Sequence, residues 1–157
     1  MQFETLKDVL HWTRDFHQQL SQSLLHSSSK NSDERARMTL TYLSDHEKAL
    51  AKVVSGFEAT GEEHALNTWC IDYIVHKPIT QKPFTQQAHV DEPFVSLDAT
   101  QIISLIVDQH QQVIELYRYL ASRADIPSAI ELLETLSAME EHEMMRMVQS
   151  TNRFGDL

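Results

Sequence analysis

The sequence predicts an all-α fold: a four-helix bundle of two antiparallel hairpins joined by a long crossover with a short extra helix. Three observations carry this expectation. Four long segments place apolar residues at the three-and-four spacing of a helical stripe. Only 3 glycines and 4 prolines occur, and the prolines all lie between residues 78 and 127, so helices elsewhere meet few breakers. The links between the first and second segments, and between the third and fourth, are a few residues long, which folds each pair back on itself.

The first helix is expected over residues 3–25, with Phe3, Leu6, Leu10, Thr13, His17, Leu20 and Leu24 on its stripe. The polar stretch from His26 to Lys30 ends it. A second helix is expected over 32–59. Asn31 and Glu34 stand at capping-box spacing at its start, and Gly61 is placed to stop it. Its stripe reads Ala36, Leu40, Leu43, Glu47, Leu50, Val54 and Phe57.

A shorter helix over 62–76 would put Leu66, Trp69, Cys70, Tyr73 and Ile74 on one face. Pro78, Pro83 and Pro93 make 77–97 an extended crossover. The third long helix is expected over 98–123, opening on Asp98 with Gln101 three residues on. Its stripe is Ile103, Ile106, His110, Val113, Tyr117 and Leu120. The fourth, over 126–153, carries Pro127 in its first turn, where proline is tolerated, and the stripe Leu133, Leu136, Glu140, Met144 and Met147. A chain of 157 residues can bury one self-sufficient core, so 1–157 is expected to form a single domain.

Composition excludes several classes of function. A formal charge of −10 argues against a phosphate-backbone partner, which needs clustered Lys and Arg. No stretch approaches the roughly 18 uncharged apolar residues of a membrane span. The single cysteine, Cys70, rules out an intrachain disulfide and suits a reducing cytoplasm. A basic region followed by a long apolar run is missing from the N-terminus, so no signal peptide is expected and the location reads as cytoplasmic. Gly-x-Ser-x-Gly, phosphate-loop and dinucleotide fingerprints are absent too.

The chemistry lies in what interrupts the stripes. His17, Glu47, His110 and Glu140 each occupy a core position, one per helix and each near mid-helix. Counted from the helix starts, the depths of these four and of Glu143 differ by only about 6 Å at 1.5 Å rise per residue, so they can share one layer. A buried carboxylate without a partner is costly. A divalent cation among them, with imidazole ligands, would resolve the charge, and mixed carboxylate and imidazole donors lean towards iron or manganese. Glu143 lies one turn from Glu140 on the same face, where both could grip one ion, and His46 adjoins Glu47. The candidate metal ligands are therefore His17, His46, Glu47, His110, Glu140 and Glu143. The bland alternative is a buried hydrogen-bonded network in which Glu140 pairs with His110 and Glu143 reaches water.

The phrases Tyr42-Leu-Ser-Asp-His46-Glu47 and Met139-Glu140-Glu141-His142-Glu143 carry a resemblance. Over essentially its whole length the chain resembles the ferritin-like and hemerythrin-like metal bundles. In ferritin-like carboxylate proteins two helices each give a Glu and two give a Glu-x-x-His pair. The resemblance implies a bundle that holds iron or manganese at its centre. The pattern departs at Leu43 and Met139, where the Glu of each pair would stand, and at His17, where a Glu is wanted. A hemerythrin-like pattern departs at Leu50 and Ile114. These gaps keep a second expectation open: a metal-free helical bundle acting as an oligomeric interaction or regulatory protein. Trp12 and Phe16, off the first stripe, are placed to cover the Trp69–Tyr73 face of the short helix or, where they stay exposed, a homo-oligomer interface.

Overall fold

Thr5 starts the first helix, because its hydroxyl accepts from the Asp8 amide while the Asp8 carboxylate accepts from the Thr5 amide, 3.1 Å away. The structure, a computed structural model, describes residues 4–68, 70 and 94–153. Helix α1 runs Leu6–Ser28, so it begins and ends three residues later than 3–25; Phe3 lies outside the described residues.

Helix α2 spans Glu34–Thr60 and is capped by Asp33 rather than Asn31. Asn31 is occupied elsewhere. Its side-chain amide donates to the carbonyls of Phe94 and Leu97 at 3.0 and 2.9 Å, and its oxygen accepts from the Asp33 amide. It thereby fastens the end of the crossover to the turn between α1 and α2.

Helix α3 is short, Glu63–Leu66, and does not extend towards residue 76 in the way the apolar face suggests. Just past it the chain pairs with the segment that precedes α1. The Leu6 amide donates to the Thr68 carbonyl at 2.9 Å, and the Cys70 amide to the Glu4 carbonyl at 2.8 Å. A helix cannot continue through residues whose backbone groups are committed sideways. Trp69, Tyr73 and Ile74, with most of the expected crossover, lie outside the described residues.

Helices α4, Ala99–Arg123, and α5, Pro127–Arg153, follow the expected spans within one residue. Asp98 and Gln101 form a complete capping box at the start of α4. Ile102, fully buried, takes the first core position that the stripe assigned to Ile103. It stands one turn before Ile106, and the helix keeps that face inward through Val113 and Leu120.

The bundle is made of two closely packed pairs, α1 with α2 and α4 with α5, while α2 also touches α4 and α3 leans on α5 and α1. Along α1 and α2 the side-chain pairings Ser21–Ser44, His17–Glu47 and Arg14–Glu58 descend on one helix as they rise on the other, the order of antiparallel neighbours. The core draws Leu10, Leu20, Leu43, Ile106, Val113, Leu136 and others from all four long helices. Among the described residues no helix is long and apolar enough to cross a membrane.

Candidate metal centre

Each long helix delivers one imidazole or carboxylate into the buried centre of the bundle, and each of the four is fully buried: His17, Glu47, His110 and Glu140. They close a ring. His17 Nδ1 lies 2.6 Å from Glu47 Oε2, and His17 Nε2 lies 2.7 Å from Glu140 Oε1. On the other side His110 Nε2 bonds Glu47 Oε1, and His110 Nδ1 comes within 3.2 Å of Glu140 Oε2. Acid and base alternate, and the order α1, α2, α4, α5 runs once round the bundle. The two imidazole centroids stand 5.3 Å apart.

The last of these four contacts differs from the others. His110 Nδ1 and Glu140 Oε2 are buried atoms with no hydrogen-bond partner, although they are close to one another. Their approach is electrostatic without the alignment of a hydrogen bond. Tyr117 is buried beside the ring, its hydroxyl without an aligned hydrogen bond among the described residues. Burial first, then the charge of Glu140, pushes that phenol well above its ordinary pKa, against a weaker pull from the Thr13 hydroxyl.

Electrostatics inside the ring are set by mutual proximity. Burial disfavours the charged form of all four groups, and in each case the two facing partners outweigh it. Desolvation alone would lower His17, but the carboxylates of Glu140 and Glu47 raise it to about 9. The same opposition raises His110 to about 10, with Glu47 the stronger partner. Glu47 and Glu140, which burial alone would raise, are each lowered to about 2 by the two imidazoles. Two imidazolium ions facing two carboxylates leave the ring neutral overall.

The next layer out is also polar. The Ser21 hydroxyl donates to the Ser44 carbonyl and the Ser44 hydroxyl to the Ser21 carbonyl, both at 2.8 Å, which draws α1 and α2 together one turn from His17 and Glu47. The sequence carries the signal for this clasp, a serine four residues after His17 and another three before Glu47. Small side chains on facing stripes permit close backbone approach.

Of the six candidate ligands, the structure brings four into the ring and sets two beside it. His46 and Glu143 form their own pair, Nε2 to Oε2 at 2.7 Å, and are part-exposed at 13 % and 19 %. Glu143 therefore does not grip a shared point with Glu140, nor does it simply reach water. Glu141 points outward to Arg118, 2.8 Å away. Phe16 is buried, with Trp12 stacked on it at 5.8 Å and its edge against His17, so the two aromatics do not form a jointly exposed pair. Cys70 is buried, and desolvation pushes its thiol up to about 11, which suits packing rather than nucleophilic chemistry.

One atom each from His17, Glu47 and His110 can be chosen so that all three lie within 4.8 Å of one another, a spacing that could hold a metal ion. The surface groove beside Gln18, Gln22, Lys48 and Lys52 includes none of the ring residues in its walls. No known protein family, curated protein or solved structure matches the chain.

Proposed function

We propose that the protein is a cytoplasmic metal-binding bundle that holds a first-row transition metal ion, iron or manganese, through His17, Glu47, His110 and Glu140. The observation that carries this reading is the complete burial of two imidazoles and two carboxylates, one from each long helix, within contact distance of each other. Taking four ionisable groups out of water costs several kcal/mol per charge, and such a cost is kept where the groups do something. The donor set fits, since mixed imidazole and carboxylate ligands suit iron, manganese and zinc. The unaligned His110 and Glu140 atoms fit as well, being buried donors without hydrogen bonds. A bound iron or manganese ion would supply a Lewis-acid and redox centre. In that arrangement each imidazole would offer the ion one nitrogen while a carboxylate held its other N–H, the outer support that orients a ligating histidine. Tyr117 would lend a phenol to the same layer, and the surrounding apolar side chains keep water away from it. The lean towards iron or manganese also follows from the resemblance to ferritin-like and hemerythrin-like bundles.

Elemental analysis tests this on untagged protein purified without chelators. Wild type is expected to carry near-stoichiometric iron or manganese, and Glu47→Gln/Glu140→Gln none. Wild type that stays empty after anaerobic loading overturns the reading.

A second reading has its own observation: the ring is charge-neutral and nearly closed without a cation. A metal-free bundle serving as an oligomeric interaction or regulatory protein would use it as a structural network. Removing His110 and Glu140 together leaves His17 and Glu47 still paired. On this reading His110→Leu/Glu140→Leu holds or raises stability, as replacing a buried ion pair by apolar groups often does. A marked loss in urea unfolding counts against it.

A further inference from the structure

All four ring side chains are fully buried, so an ion that reaches them has to pass between helices and lose its water on the way. An apolar seam offers nothing to replace that water. Beside the ring, however, stands a further imidazole–carboxylate pair, His46 with Glu143. His46 directly precedes Glu47 on α2, and Glu143 follows Glu140 by one turn of α5, a rise of about 4.5 Å. The pair therefore joins the same two helices that carry the ring carboxylates, one step nearer solvent.

A ring nitrogen from one helix and a carboxylate oxygen from the other face each other in it. His46 Nε2 lies 2.7 Å from Glu143 Oε2, yet it is a buried atom without a hydrogen-bond partner. The Tyr42 ring lies against the imidazole, with centroids 5.9 Å apart. Both residues are part-exposed although Nε2 itself is covered, so the pair stands at the rim where water can reach a cation that parts them. Two protein donors with several waters make a weak, exchangeable site, and one nitrogen with one carboxylate suits a first-row divalent ion. The remaining carboxylate oxygen, Glu143 Oε1, accepts from Arg146 at 3.2 Å. That guanidinium competes with a cation, and at 59 % exposure it is free to swing out.

We infer that His46 and Glu143 form an outer, transient cation site that passes a partly hydrated first-row divalent ion to the central ring. The inference rests on the metal-binding reading and adds a route to it.

The test uses the metal-free full-length chain and Co2+, followed by the absorbance of bound cobalt and by ions per chain at equilibrium. His46→Gln/Glu143→Gln is expected to load about tenfold more slowly or worse while reaching the wild-type endpoint. Arg146→Ala, a surface change that leaves the fold intact, is expected to load faster than wild type. Wild-type rates in both variants, with full loading, overturn the inference. Two ions per chain in wild type and one in the double variant also overturn it, because the pair would then be a resident site. A wild type that binds no Co2+ overturns the central metal reading, and the route with it.

Discussion

Glu47 and Glu140 each face two imidazoles, so the loss of either charge leaves two imidazolium ions sharing one carboxylate in a buried layer. Breaking a buried pair from one side typically costs about 3–5 kcal/mol. Metal-free Glu47→Gln is therefore expected to lose about that much in urea unfolding, with an unchanged denaturant slope. Glu141→Gln on the same bundle removes only an exposed pair with Arg118 and should cost roughly 0–1 kcal/mol. At this scale the sequence says a good deal. Each ring residue stands out because a charged or imidazole side chain fills an apolar stripe position, flanked one turn away by Leu43 and Leu50, or by Ile106 and Val113. What the stripe cannot say is which of two neighbouring polar groups turns inward. Glu140 and Glu143 share a face, yet only the first meets the ring, because Glu143 is drawn to His46.

At the scale of elements, the two helix-associated glycines of α2 separate propensity from sterics. A Cβ on Gly56 would meet nothing within 4 Å, so Gly56→Ala removes only the entropic cost of glycine in a helix. It should raise stability by roughly 0.5–1 kcal/mol. A Cβ on Gly61 would stand 2.6 Å from the Phe57 carbonyl oxygen and 3.2 Å from the Leu66 methyl groups. Gly61→Ala should lower the melting temperature where Gly56→Ala raises it, and thermal unfolding of the two checks the contrast. The four long helices could be read from sequence because their stripes and caps are local. Asp98 with Gln101 is such a cap. The short helix was misjudged for the opposite reason: Thr68 and Cys70 bond to Glu4 and Leu6, far away in sequence, and no local pattern announces that pairing.

For the whole molecule, the ring makes stability a function of pH at both ends. Glu47 and Glu140 fall from 4.5 to about 2 in the fold, so their contribution is complete above about 4.5 and is lost as pH drops towards 2. His17 and His110 rise from 6.5 to about 9 and about 10, so theirs is complete below about 6.5 and is lost as pH climbs through 9–10. Metal-free protein should thus show a plateau of stability between about pH 4.5 and 6.5, with a decline on either side. Bound metal needs deprotonated imidazole, so loading should flatten the alkaline decline. Chemical denaturation across pH, with and without added metal, measures both arms. An alkaline arm that loading leaves unchanged would mean that the ion sits elsewhere.

By itself the sequence determined the helical class, the approximate spans of the long helices and the four polar residues at their centres. Those features follow from periodicity, breakers and the cost of burying charge, all of which act within a helix. The tertiary structure alone decided that His17, Glu47, His110 and Glu140 alternate around one ring, and that His46 and Glu143 stand beside it. Ring order and pairing depend on how each helix is rotated about its axis and set against its neighbours. That rotation is fixed by packing among all four helices at once, and no single stripe contains it.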